Sequence, residues 1–158
     1  MIECPGHVVF DWDGTLAEIQ SDRRYHLFPG VLELIQKLSD LGCLIYLWTA
    51  RDRSSMVRIL DELMVKNFFT EIATPTDCSP KPSSDGLVMM LDHVDKNKVI
   101  VIGDTHADMI GAKNFGAWAI GPGWNQNINR EVLMEFKADF IVETPEQCFL
   151  KIKELLRI

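Results

Sequence analysis

Two hydrophobic periods alternate along the chain and predict strands and helices in turn. Short runs rich in β-branched and aromatic residues predict six strands, at residues 8–11, 43–49, 71–75, 99–103, 118–121 and 139–142. Near-continuous apolar runs such as 99–102 are typical of strands that are buried on both faces, as in a parallel sheet.

Between these runs, apolar residues recur at helical spacing. The first predicted helix is residues 31–41, and the second carries the apolar stripe Val57, Leu60, Leu63 and Met64. The third is residues 84–94, with Leu87, Val88, Leu91 and Val94 facing inward, and the fourth follows Asp108 and ends near Gly116. The fifth is residues 130–136, and the sixth begins at Pro145. Asn129 is predicted to cap the fifth helix, and Thr144 with Gln147 has a capping-box spacing before the sixth.

Strands that alternate with helices indicate an α/β fold, here a doubly wound, mostly parallel, Rossmann-like sheet with helices on both faces. A length of 158 residues suits one domain, and no repeat or linker-like stretch interrupts the pattern. We therefore expect residues 1–158 to form a single domain.

The first strand ends in two carboxylates, Asp11 and Asp13, followed by Gly14. In open α/β sheets, ligands bind outside the carboxyl ends of the strands. Residues i and i+2 of an extended segment point the same way, so both carboxylates are predicted to face one ligand. Because like charges that close repel, the pair predicts a metal ion, an acid/base pair, or both.

Further reactive side chains follow the other predicted strands. Thr49 closes the second strand, Lys81 follows the third, and Asp104 and Asp108 follow the fourth. Right-handed crossovers bring these strand ends to one edge of the sheet. A carboxylate nucleophile, oxygen ligands for Mg²⁺, a hydroxyl and an ammonium are the groups that phosphoryl transfer needs.

Four segments in this order resemble the signature motifs of haloacid dehalogenase superfamily phosphatases. They are Asp-Trp-Asp-Gly-Thr at 11–15, Leu-Trp-Thr at 47–49, Lys-Pro at 81–82, and Gly-Asp-Thr-His-Ala-Asp at 103–108. The similarity runs from about Val8 to the end of the chain. Phe-Pro-Gly-Val at 28–31 and Asp-Gly-Leu at 85–87 look most like the phosphoglycolate phosphatase branch.

The resemblance implies a role for each matching residue. Asp11 would be the nucleophile and an Mg²⁺ ligand, and Asp13 would give the metal its backbone carbonyl and act as general acid and then base. Asp104 would ligate Mg²⁺, while Asp108 would hold a metal-bound water or Lys81. The implied phosphate-binding groups are Thr49, Lys81 and the amides of Trp12 and Ala50.

The chain departs from the phosphoglycolate phosphatase branch in having no room for a large cap. Only residues 16–28 separate the first turn from the next helix, enough for a small helical turn and a hairpin flap. One helix and one strand fill residues 49–81. The resemblance therefore implies a capless member whose open site suits a large substrate, or one covered by a neighbouring subunit.

Several basic residues flank these motifs and form a candidate substrate rim. Arg23, Arg24 and His26 lie in the flap, and Arg51 and Arg53 follow the second strand. If they converge, they favour a substrate with further anionic groups. The alternative is a solvated basic loop.

Composition limits the kinds of partner that the protein is expected to bind. The net charge of −7 disfavours a broad nucleic-acid surface, and the four cysteines lack the spacing of a zinc site. No apolar run approaches membrane length and no leader pattern precedes the first strand, so we expect a cytoplasmic protein without membrane contact. The expected partner is a phosphorylated small molecule or an exposed phosphate on a larger one; homo-oligomerisation stays open.

Three functions remain compatible with the sequence. The first is an Mg²⁺-dependent phosphomonoesterase that works through an aspartyl phosphate. The second is a receiver-like signalling domain that accepts phosphate without turnover, although such domains place the acceptor on a middle strand and an acidic pair on the first. The third is a noncatalytic binding protein that keeps the fold.

Overall fold

The computed structural model describes residues 6–158, which form a six-stranded parallel sheet and a separate hairpin. Within these residues the strands are β1 His7–Phe10, β2 Ala17–Ile19, β3 Tyr25–Leu27, β4 Leu44–Trp48, β5 Glu71–Ala73, β6 Val99–Ile102, β7 Trp118–Pro122 and β8 Phe140–Val142. The large sheet has the order β5-β4-β1-β6-β7-β8, and β2 pairs antiparallel with β3. The predicted doubly wound α/β fold is confirmed.

Helices cover both faces of the sheet. Along residues 6–158 they are α1 Val31–Asp40, α2 Arg53–Glu62, α3 Asp85–Leu91, α4 His106–Phe115, α5 Arg130–Glu135 and α6 Pro145–Leu156. One core layer packs α1, α2 and α6 against Val8 and Phe10, and the other packs α3, α4 and α5 against Val9. Because consecutive residues of β1 enter opposite layers, the strand is buried on both faces, as its apolar run predicts.

The apolar stripe predicted for the second helix is wrong in part. Asp52 caps α2 and accepts a hydrogen bond from the Ser55 amide, so the helix starts at Arg53, four residues before the predicted stripe begins at Val57. It ends at Glu62, and Met64 lies beyond that end at φ 59° with 88% of its surface exposed. The buried positions of α2 are Met56, Ile59 and Leu60.

The third and fourth helices also differ from the prediction. Helix α3 ends at Leu91, and Val88, expected inside, is 44% exposed, while Met90 is buried instead. Helix α4 begins at His106 rather than after Asp108, because Thr105 caps it. Asp108 therefore lies in the first turn of α4.

The predicted caps of the last two helices are largely confirmed. The Asn129 side chain accepts from the Val132 amide at 3.1 Å, and Thr144 accepts from the Gln147 amide at 3.1 Å. The Gln147 side chain accepts from the Glu143 amide instead of the Thr144 amide, so the predicted capping box of α6 is only half formed. Cys148 is buried in α6, while Cys4 lies outside the described residues.

Strand register brings the predicted site residues to one edge. Phe10 of β1 lies opposite Leu47 of β4 and Ile102 of β6, so these three strands end close to level. The β2–β3 hairpin and α1 fill the chain between β1 and β4, and across residues 6–158 there is no separate cap domain. None of the helices in this range combines the length and apolar composition needed to cross a membrane.

Candidate active site

A buried lysine joins two of the predicted aspartates at the carboxyl edge of the sheet. Lys81 Nζ donates to Asp11 Oδ1 at 3.0 Å and to Asp108 Oδ1 at 2.6 Å. The side chains of Lys81, Asp11 and Asp108 are 6%, 10% and 1% exposed. Burial alone would lower the pKa of the Lys81 ammonium, but the charges of Asp108 and Asp11 raise it above its usual range. The two carboxylates therefore favour the charged form of Lys81.

Three carboxylates converge around this lysine. Each of Asp11, Asp104 and Asp108 offers one oxygen, and these oxygens lie within 4.8 Å of one another. Burial raises the pKa of Asp11 well above its usual range, and repulsion from Asp108 adds to this while Lys81 opposes it. Burial also raises the pKa of Asp104.

This donor set fits a divalent cation. Three carboxylates with one ammonium leave two negative charges uncompensated, and buried charges are stable only when they are paired or bind metal. Carboxylate oxygens are the hard ligands that Mg²⁺ prefers. Because Lys81 is closest to Asp108, Asp11 and Asp104 are the carboxylates best placed to hold an ion.

Two glycines allow the aspartates to approach the backbone. Gly14 follows the first motif at φ 80°, and a Cβ atom there would lie 2.1 Å from Asp104 Oδ2. A Cβ atom on Gly103 would lie 2.4 Å from the Cγ atom of Asp108. Both positions therefore require glycine for steric reasons, and Gly14 for its backbone conformation as well.

The first turn of α4 fixes the orientation of Asp108. Its Oδ2 accepts from the Thr105 amide at 3.0 Å and from the Thr105 hydroxyl at 2.9 Å. Thr105 in turn accepts from the Asp108 amide, which completes a capping box. One carboxylate oxygen thus caps the helix while the other holds Lys81.

Asp13 occupies a more exposed environment than Asp11 and has different hydrogen-bond partners. Strand β1 ends at Phe10, so Asp11 and Asp13 lie in the loop that follows it. The Asp13 side chain is 48% exposed and accepts from the Tyr25 hydroxyl and from Arg51 Nη2, the latter at 3.3 Å. Burial and the bond to Asp13 raise the pKa of Tyr25 to about 12, so Tyr25 is a neutral donor.

The predicted phosphate-binding groups lie at the ends of β1 and β4. Thr49 is buried, and its hydroxyl oxygen accepts from the Arg51 amide at 3.1 Å, which leaves its proton available for donation. The amides of Trp12 and Ala50 donate no hydrogen bond to any of residues 6–158. These three groups could therefore donate to an anion.

Three positioning residues were missed by the sequence reasoning. The Thr15 hydroxyl lies 3.4 Å from Asp104 Oδ1 and 3.5 Å from Asp11 Oδ2. From the loop after β7, Trp124 Nε1 donates to the Thr15 carbonyl and Asn125 Nδ2 donates to the Gly14 carbonyl, both at 2.8 Å. Thr15 was visible within the first motif, but no local signal pointed to the other two.

The candidate substrate rim is only partly assembled. Arg51 lies at the site through its contact with Asp13, and Arg23 and Arg24 are exposed in the flap hairpin. Arg53 instead forms an ion pair with Asp77 at 2.8 Å. His26 pairs with Asp22 at 2.7 Å, so these two residues are occupied elsewhere.

The fold and the clustered carboxylates define a Rossmann-like α/β protein with a candidate metal site at the carboxyl edge of the sheet. Residues 15–121 match the family described as haloacid dehalogenase-like hydrolase. The chain belongs to this family.

Curated relatives carry phosphatase names. The chain is 24% identical over 123 residues to a phosphoglycolate phosphatase of Vibrio parahaemolyticus, covering 75% of this chain and 53% of that protein. It is 26% identical over 119 residues to the pyrophosphatase PpaX of Bacillus mycoides, covering 73% and 55%. The chain thus spans about half the length of the curated relatives it matches.

Solved structures agree on the fold over nearly their whole length. A haloacid dehalogenase-like hydrolase from Streptococcus pneumoniae superposes with a TM-score of 0.79 at 20% identity, covering 92% of this chain and 97% of the other. A hydrolase of the same superfamily from Ehrlichia chaffeensis gives 0.78 at 15% identity, covering 99% of both chains. At these identities the likeness supports the fold alone.

Proposed function

We propose that this protein is an Mg²⁺-dependent phosphomonoester hydrolase that forms an aspartyl phosphate on Asp11. The carrying observation is the placement of Asp11, whose carboxylate lies between Lys81 and a second acidic side chain, Asp104, at the edge where the strands end. The phosphatase names of the curated relatives support the same reaction class.

Asp11 and Asp13 divide the chemistry. A carboxylate oxygen of Asp11 attacks phosphorus, the bond from phosphorus to the leaving oxygen breaks, and Asp13, as general acid, gives a proton to that oxygen. Water then attacks phosphorus, Asp13 takes its proton, and inorganic phosphate leaves Asp11. The exposure of Asp13 suits this role, because the leaving group has to reach solvent.

Cationic and neutral donors would hold the transferring phosphoryl group. Asp11, Asp104 and the Asp13 carbonyl would hold Mg²⁺, which supplies the counter-charge for attack of an anion on an anion. Lys81 donates to a phosphoryl oxygen while Asp108 keeps it in place. The Thr49 hydroxyl and the amides of Trp12 and Ala50 donate to the remaining oxygens.

Phosphate release from two substrates tests this assignment. Wild-type protein is expected to hydrolyse p-nitrophenyl phosphate with Mg²⁺ and to stop with EDTA. Asp11→Asn should lose at least about 10³-fold in kcat, because it lacks the nucleophile. Asp13→Asn should lose more on glycerol 3-phosphate than on p-nitrophenyl phosphate, since the aryl oxide leaves without a proton.

Asp92→Asn serves as the matched control, because Asp92 is exposed at the end of α3. Equal activity in wild type and Asp11→Asn would refute the nucleophile. A stable phosphate on Asp11 without phosphate release would support the receiver-like alternative instead.

A further inference from the structure

A basic cavity opens beside Asp13, between the flap hairpin and α2. Its volume is about 700 Å³, within the range of sites that bind small molecules. Its lining includes four arginines, Arg23, Arg24, Arg51 and Arg58. Glu62 is the one carboxylate among the lining residues.

The cavity and the proposed general acid share two residues. Tyr25 and Arg51 line the cavity, and both also donate hydrogen bonds to Asp13. A leaving group that takes its proton from Asp13 therefore lies at the mouth of this cavity.

Three of the four cavity arginines have no ion-pair partner among residues 6–158. Among residues 6–158, no carboxylate forms an ion pair with Arg23, Arg24 or Arg58. Arg51 pairs with Asp13. Such an excess of guanidinium groups on the two walls of one concave surface is complementary to phosphate or carboxylate, which arginine binds through two parallel hydrogen bonds.

We infer that the cavity binds the leaving group and selects phosphate esters whose leaving group carries a second phosphate. This inference rests on the proposed phosphatase function and names its substrate class, a bisphosphorylated small molecule. Arg24 and Arg58 recognise the second phosphate from opposite walls, and Arg51 lies between it and Asp13. Glu62 opposes anion binding at the rim.

A pair of substrates that differ only in the second phosphate tests the inference. Adenosine 3′,5′-bisphosphate and adenosine 5′-monophosphate are compared by kcat/KM for phosphate release, with p-nitrophenyl phosphate as the measure of chemistry alone. In wild type the bisphosphate is expected to exceed the monophosphate by at least about ten-fold, and added salt should reduce this ratio.

Variants in the cavity should change the ratio without changing the chemistry. Arg58→Ala and Arg24→Ala are each expected to lower kcat/KM for the bisphosphate by roughly ten-fold, mainly through KM, with p-nitrophenyl phosphate turnover kept. Glu62→Gln should raise kcat/KM for the bisphosphate by a few-fold, because it removes a negative charge from the cavity lining. Lys153→Gln removes a positive charge from α6, which contributes no residue to the cavity lining, and should have no effect.

Binding to Asp11→Asn separates this inference from the proposed function. Calorimetry with Asp11→Asn should show tighter binding of the bisphosphate than of the monophosphate, and Arg58→Ala added to it should abolish the difference. The cavity assignment alone would be overturned if wild type turns over p-nitrophenyl phosphate but has equal kcat/KM for the two nucleotides. It would also be overturned if the ratio of the two kcat/KM values does not change in Arg24→Ala and Arg58→Ala. Selective binding without any turnover would overturn the phosphatase and leave the anion site standing.

Discussion

Replacing Asp11 by asparagine is expected to stabilise the metal-free protein while it removes turnover. The substitution keeps the shape of the side chain and an oxygen that accepts from Lys81, but it removes one of three clustered negative charges. Lys81 keeps its 2.6 Å contact with Asp108, so no buried charge is left without a partner. Asp11 therefore differs from a structural aspartate, whose removal destabilises.

The size of the stability gain in Asp11→Asn follows from the distances between the charged groups. At an effective dielectric constant of about 20, the repulsion of Asp11 by Asp104 or Asp108 within 4.8 Å is at least about 3.5 kcal/mol each. The attraction to Lys81 at 3.0 Å is about 5.5 kcal/mol on the same scale. A net repulsion of about 1–2 kcal/mol remains before the cost of burying the charge is added, so we expect a gain of about 1–3 kcal/mol.

The gain should depend on pH with a definite sign. Because the pKa of Asp11 is raised in the folded state, protonated Asp11 contributes stability that is complete below its ordinary pKa and is lost as pH rises through the raised value. Wild type and Asp11→Asn should therefore be similarly stable in acid and diverge toward neutral pH.

Urea unfolding in EDTA, repeated with Mg²⁺, measures these effects. Mg²⁺ should stabilise wild type strongly and Asp11→Asn weakly, because the ion loses a ligand. Lys81→Met has the opposite expected sign, a loss of about 3–5 kcal/mol, since it leaves the carboxylates unpaired. A lower midpoint for Asp11→Asn in EDTA, at an unchanged m-value, would refute the electrostatic reasoning.

Two further perturbations have expected outcomes. Gly14→Ala would place a Cβ atom 2.1 Å from Asp104 Oδ2 at φ 80°, so we expect at least roughly ten-fold weaker Mg²⁺ binding by calorimetry; an unchanged affinity would contradict this. Hydrogen bonds from Arg53 and Thr74 lower the pKa of Asp77 to about 2, so its contribution is complete above pH 3.8 and lost as pH falls toward 2. Asp77→Asn should therefore cost about 1 kcal/mol in urea unfolding at pH 7 and almost nothing at pH 2.

The residues that follow strands could be placed from the sequence. In a parallel sheet the carboxyl ends share one edge, so the sequence predicts that Asp11, Asp104 and Asp108 meet there. The position of Lys81 could not be predicted from the strand pattern alone, because seven residues separate it from the end of β5; its assignment depended on the family resemblance. The start of α4 was predicted wrongly, after Asp108, although Thr105 and Asp108 have the Ser/Thr-x-x-acid spacing of a capping box.

The side-chain directions could not be read from the same pattern. Period-2 alternation holds only while the backbone is extended, and β1 ends one residue before Asp11. The end of α2 was also predicted wrongly from apolar spacing, because the helix ends at Glu62 and Met64 adopts a left-handed backbone conformation beyond it. Tyr25 carried no motif, and its contact with Asp13 exists only because a hairpin folds back over the strand ends.

That hairpin joins the proton-donating side of the site to the cavity. Pairing of Ala17 with Leu27 and of Ile19 with Tyr25 fixes the register of β2 and β3. A slip of one residue would reverse the face to which Tyr25 points, because side chains alternate along a strand. Such a slip would remove a donor from Asp13 and a wall from the cavity together. The register of one short hairpin therefore determines both where the leaving group receives its proton and which charges surround it.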